Sequence, residues 1–252
     1  MTGSIFDIFT DAEYAEMYVE LDLRAQLIAI RHFLGRSEAS KAAVVAEIDG
    51  LAAKAKAASG DHADHLVDLW VDEMHGSVFH DGVNSLAAVG MFAPLVEALF
   101  VQMFRALSKR EEGRAPPHLR EQRVAADLWD PHFFFRKTGR YENLVEGILQ
   151  LSDMTGLVPR LPADTRAVLE ALFGYRNAML HNGLEWPMEW REKFENRTGS
   201  WPADWFFSSR SGDLPWIFYM TPTFIDRCLI FVEQVMAAFG GLIRHRDDAA
   251  SV

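Results

Sequence analysis

Arg176, Asn177 and His181 fall within six residues of one another near the end of a predicted helix. Their types suit chemistry at a phosphodiester. A guanidinium forks onto phosphate oxygens and stabilises charge that develops in a transition state. An imidazole titrates near neutrality and can move protons between a 2′-hydroxyl and a leaving 5′-oxygen. An asparagine amide can hold that imidazole in one tautomer. No acidic ligand set accompanies the three, so the reaction they suit is cleavage of RNA without a metal. On an ideal helix Asn177 and His181 stand about 40° apart, whereas Arg176 and His181 stand about 140° apart. Arg176 therefore meets His181 only if the helix unwinds near Leu180, or if both reach one groove. The alternative is a buried structural arginine paired with a carboxylate such as Glu146 or Glu170, with His181 favoured at a helix C-terminus by the dipole.

The element that must position these residues is a helix over 164–182. Asp164 is its N-cap, and Val168, Leu169, Leu172, Phe173, Met179 and Leu180 recur at helical spacing. Asn182-Gly183 supplies a left-handed stop. Arg176 falls where the pattern asks for an apolar side chain, and charged residues are seldom buried without a partner or a task.

The run Arg176-Asn177-Ala178-Met179-Leu180-His181 resembles the Arg-polar-x(3–5)-His signature of the HEPN-domain ribonucleases. That resemblance implies an all-α bundle and a homodimer whose motifs meet in a basic cleft. It implies endoribonuclease activity without metal or cofactor, leaving a 2′,3′-cyclic phosphate, often in phage defence or toxin–antitoxin systems with an antitoxin as partner. Arg176 and His181 would be the catalytic pair and Asn177 the supporting polar residue. The resemblance covers roughly residues 84–243; the N-terminal third and a Trp-rich insertion have no counterpart in it.

Composition allows this and narrows it. The chain has 252 residues, 49% of them hydrophobic and 24% charged, enough for a large core. The net charge of −11 argues against indiscriminate binding to nucleic acid or anionic membrane, but not against a local basic site. Residues 1–75 carry 6 basic and 14 acidic groups, net −8, whereas residues 105–140 carry 9 and 5, net +4. Within the basic segment, 132–141 interleaves Phe133, Phe134 and Phe135 with Arg136, Lys137 and Arg140. Such a pattern can stack bases and neutralise phosphates, or plug a core with aromatics beneath a basic turn. The one cysteine, Cys228, precludes an internal disulfide and fits a reducing, cytoplasmic setting. The first residues carry no basic n-region, so no signal peptide is expected. The apolar run 86–104 is interrupted by Pro94, Glu97 and Gln102 and reads as a buried helix rather than a membrane span.

The expected architecture is an acidic helical extension, 1–80, followed by a helical bundle, 81–246, with the Trp-rich insertion at 184–220. The extension reads as helices over 11–33, from Ser37 to about 58, and over 62–75. His62, His65, His75 and His80, with Asp61, Asp64, Asp72, Glu73 and Asp81, are rich in metal-ligand types but match no ligand motif. A solvated acidic face is the reading preferred. Helices are expected over 84–108, kinked at Pro94, then 120–128 and 141–154, and from Pro222 to a stop at Gly240-Gly241. Five of the seven tryptophans lie in the insertion, which is expected to be ordered. Two short strands there, 205–208 and 216–220, would turn through Arg210-Ser211-Gly212-Asp213.

Overall fold

A computed structural model describes residues 20–110 and 128–250, with residues 11 and 15. Among these residues the protein is mostly helical, with two small antiparallel strand pairs. The expected helix over 120–128 and most of the start of the one over 11–33 lie outside the described residues.

Several helices are longer than their sequence suggests. Helix α1 (Leu23–Ala57) runs through Ser37 without a break. Helix α2 (Asp61–Arg110) merges the two helices expected over 62–75 and 84–108, and continues through Pro94. The last helix, α6 (Pro222–Ala250), passes Gly240-Gly241 rather than stopping there. Ser and Gly only lower helix propensity by about 1 kcal/mol or less, which packing along a long element offsets. At the start of α6, Thr221 Oγ1 accepts the Phe224 N–H at 3.3 Å, as an N-cap should.

The chain forms two units. One comprises Phe92–Phe173 and the chain from Asp226 onward, with the described residues up to Ala25. Its core is apolar side chains of α2 and α6, such as Phe92, Phe100, Phe104, Phe231, Val235 and Phe239, all 0% exposed. Leu151 of α3 (Leu144–Met154) and Leu169 and Leu172 of α4 (Thr165–Asn182) are buried in the same unit. Asn143 caps α3 by accepting the Glu146 N–H. Before α3 stands a hairpin, β1 (Phe133–Arg136) with β2 (Gly139–Glu142). Gln150 of α3 both donates to and accepts from the Phe135 backbone, at 2.8 and 2.9 Å. Asp164, at the head of α4, accepts a bidentate pair from Arg227 of α6. Its carboxyl is held below the ordinary value by that guanidinium.

The other unit comprises Gln26–Met91 and Gly174–Ile225. The composition-based division into 1–80 and 81–246 therefore does not follow the units. Its α1 and α2 segments run antiparallel, tied by Ser37–Asn84 (2.9 Å) and Lys41–Asp81 (3.0 Å). The insertion is ordered, as expected, and holds one element the sequence did not suggest, helix α5 (Met188–Thr198). It also holds the expected hairpin, β3 (Phe206–Ser211) with β4 (Leu214–Met220), closed through Gly212 with φ +62°. Tyr175, Trp186, Phe194, Phe206 and Phe218 form a continuous set of ring contacts with centroids 5.1–5.9 Å apart. The buried Tyr175 hydroxyl donates to the Phe218 carbonyl at 2.8 Å. Arg191 of α5 donates to the Trp186 carbonyl at 2.5 Å and pairs with Glu185 at 3.3 Å, fixing the start of α5.

Two helices, Asp61–Arg110 and Pro222–Ala249, are long and apolar enough to cross a membrane by length and composition alone. Half or more of each apolar window (50% and 61%) is buried within the protein.

Candidate functional site

Helix α4 stays regular to Asn182 and ends at Gly183, whose φ of +71° is the expected left-handed stop. The unwinding near Leu180 does not occur. Val168, Leu169, Leu172, Phe173 and Met179 are buried as the pattern requires, but Leu180 is 62% exposed. Tyr175 and Ala178 are buried instead. The row through Leu169 and Phe173 leaves the core one turn later, and Arg176 lies on that departing row, half-buried. This is why a charge stands at an apolar position. Of the carboxylates named as structural partners for it, Glu146 and Glu170 both pair with Arg166, at 2.5 and 3.2 Å.

The face of α4 carrying Asn177 and His181 looks onto α5 across an open cleft of about 520 Å³. Gly174, Asn177, Ala178 and His181 line it from α4; Trp190, Lys193, Phe194 and Arg197 line it from α5. Both sets follow the i, i+3, i+4, i+7 spacing of one helix face. Ala178 (7% exposed) and Phe194 (4%) form the floor. Asn177, His181, Trp190, Lys193 and Arg197 form the exposed rim. Arg176 does not line the cleft, as the 140° offset on an undistorted helix requires. The structure thus brings Asn177 and His181 together and leaves Arg176 on another face.

Arg197 supplies a guanidinium in its place. A Cβ on Gly174 would meet Arg197 Nη2 at 3.0 Å and Nη1 at 3.2 Å, so the guanidinium rests on glycine backbone. Its other support is the Trp201 ring, 5.4 Å from Cζ. Among the described residues no carboxylate pairs with it. The neighbouring Lys193 ammonium lies 2.5 Å from Glu189 Oε1 and 5.3 Å from the Trp190 ring centroid. No Asp or Glu lines the cleft. Two cations and an imidazole therefore face one solvent-filled space in a chain of net charge −11. Between the described residues, neither Asn177 nor His181 makes a side-chain hydrogen bond. The expected Asn177–His181 bond is not formed, and both residues line the cleft.

Arg197 was not legible as a site residue. Its spacing from Trp190 and Phe194 marks a shared face, but its task depends on Gly174, 23 positions earlier.

The other predicted anion site is built differently. Arg136 lies over the Phe134 and Tyr141 rings (5.1 and 5.5 Å) and Arg140 over the Phe133 ring (4.3 Å). Phe135 alone of the three phenylalanines is buried, and Lys137 is exposed at the turn. At the hairpin's base, His132 bridges Glu97 (3.0 Å) and Asp130 (2.7 Å). Hydrogen bonding to Glu97, with that to Asp130, holds its pKa above the ordinary value against the opposing effect of burial.

His62, His65, His75 and His80 are exposed on α2, and among the described residues no three His, Cys, Asp or Glu side chains converge as metal ligands. His75 instead packs edge-on to Trp216 at 5.9 Å. Comparison of the chain with protein-family models, with curated proteins and with solved structures finds no match.

Proposed function

We propose that the α4–α5 cleft binds an RNA phosphodiester and that the protein is a metal-independent endoribonuclease of HEPN type. The observation that carries this reading is the carboxylate-free cleft holding His181, Asn177, Lys193 and Arg197. A basic cleft in an acidic protein concentrates an anionic ligand at one place, because low-dielectric walls focus the local field. Arg197 forks onto the non-bridging phosphate oxygens and stabilises the charge that builds there. His181 accepts the 2′-hydroxyl proton as the 2′-oxygen attacks phosphorus. The P–O5′ bond breaks, and the proton passes to the departing 5′-oxygen. The products are a 2′,3′-cyclic phosphate and a 5′-hydroxyl. Asn177, one turn before His181, donates to the phosphate or orients the imidazole once a strand is bound.

In this reading Arg197 takes the part that the six-residue pattern gives to Arg176. The homodimer implied by the resemblance would let the Arg176 of a second copy approach the same phosphate. A defence or toxin-like role follows from the same resemblance.

The test is incubation of the purified protein with single-stranded RNA in excess EDTA, with end-group analysis by mass spectrometry. The expected result is cleavage yielding 2′,3′-cyclic phosphate ends. Intact RNA at every protein concentration, or 3′-hydroxyl ends, overturns the proposal.

A non-catalytic interaction module is the second reading. It is favoured by the exposed Val45, Val67 and Met74 (48, 43 and 42%) on the acidic α1–α2 segment, a surface suited to a basic protein partner such as an antitoxin. Co-purification of a partner lost on Val67→Asp supports it; an unchanged partner set counts against it.

A further inference from the structure

We infer that Trp190 is the base platform of this cleft, stacking one unpaired base of the RNA strand whose phosphate lies on Arg197. The inference deepens the nuclease reading and rests on it.

Burial sets Trp190 apart from its neighbours. Trp186, Trp201 and Trp205 of the same insertion are 2, 6 and 4% exposed and are accounted for by core packing. Trp190 is 48% exposed on the cleft rim. An indole is a large apolar surface to leave in water unless something covers it. Its position points to what that is. Trp190 and Arg197 occupy the same face of α5 seven residues apart, about 10 Å along the axis. The flat apolar group and the cation therefore stand at opposite ends of one cleft, matching a ligand that joins a planar base to a phosphate. Between them Lys193 is held at the indole by the ring and by Glu189, an exposed partner that a strand phosphate can replace.

The chemistry recognised is a phosphorylated, unpaired base. In a duplex the bases stack on each other and offer the indole no face. A free mononucleotide carries the same groups with one phosphate, whereas a strand brings further phosphates to Lys193; the strand is the ligand proposed, and displacement by AMP separates the two.

The experiment uses full-length His181→Ala protein, so that bound RNA is not cut. Fluorescence anisotropy follows a labelled single-stranded 12-nucleotide RNA, the same sequence as a duplex, and displacement by AMP. Trp190→Ala is expected to weaken single-strand binding about 5- to 150-fold, the range found for losing one base–aromatic stack. Trp190→Phe should stay within about threefold, and duplex binding, already weaker, should not change. AMP should displace the strand only at concentrations far above the strand's own dissociation constant. Equal single-strand affinity in Trp190→Ala and its parent, with unchanged thermal melting, overturns the platform and leaves the nuclease reading standing. AMP displacing the strand at comparable concentration overturns the strand as ligand in favour of a free nucleotide. If the parent binds no RNA at all, the nuclease reading falls and the platform with it.

Discussion

At the scale of single residues, the proposed cleavage depends on which guanidinium would meet the phosphate. Arg197 rests on Gly174 and Trp201 and faces the same cleft as His181, whereas Arg176 of the same chain does not. Arg197→Ala should therefore lower kcat/KM for RNA by roughly 10²- to 10³-fold, the usual loss when one donor to developing charge is removed. Arg197→Lys should recover little of it, because a lysine offers no bidentate fork. Steady-state kinetics in EDTA check both, and an Arg197→Ala enzyme with full activity contradicts the assignment. A second residue-scale prediction concerns His132. Its pKa is raised in the folded protein, so the Glu97–His132–Asp130 bridge stabilises fully below the ordinary histidine value and is lost as pH rises through the raised one. Thermal melting should fall across that window relative to His132→Gln, whose curve should be flatter. Parallel curves for the two proteins would show that the bridge is not coupled to folding.

At the scale of elements, the contacts that seat the helices are backbone approaches that only glycine allows. A Cβ on Gly147 would lie 1.9 Å from the Pro131 carbonyl oxygen and 2.7 Å from that of Phe133. Gly147→Ala should separate α3 from the β1–β2 hairpin and destabilise the protein by about 1–3 kcal/mol or more, the cost of overpacking. Chemical denaturation measures this directly, and a shift under 0.5 kcal/mol (about the noise of a surface substitution) would contradict it. The same approaches explain what could and could not be read from the chain. The β3–β4 hairpin was legible because aromatic strands flank a Gly-Asp turn. The β1–β2 hairpin was not, because its four-residue strands are shorter than any window in which alternation can be recognised. Helix α5 was hidden by its composition: MEWREKFENRT buries only Phe194, so its apolar stripe is one residue wide. For the site, the Asn177–His181 face followed from helical spacing, but Arg197 depends on a tertiary contact with Gly174 and carries no local signal.

At the scale of the whole molecule, the proposed function has an acidic protein meet a polyanion through a small basic cleft. Few counterions are then displaced from the strand. With two cations at the cleft, Lys193 and Arg197, the logarithm of the binding constant should fall with log[salt] with a slope of about −1.4. Salt titration of single-strand binding tests this. A slope steeper than about −4 would mean that a larger basic surface, such as the hairpin bearing Arg136, Lys137 and Arg140, carries the strand instead.

The central claim is that the imidazole at the end of α4 moves the protons of RNA cleavage. Single-turnover cleavage of a labelled RNA in EDTA, with wild type and His181→Ala side by side, tests it most directly. His181 is exposed, so the substitution should leave thermal melting unchanged while the cleavage rate drops by about 10²- to 10⁴-fold. A His181→Ala protein that melts and cleaves like wild type would contradict the account.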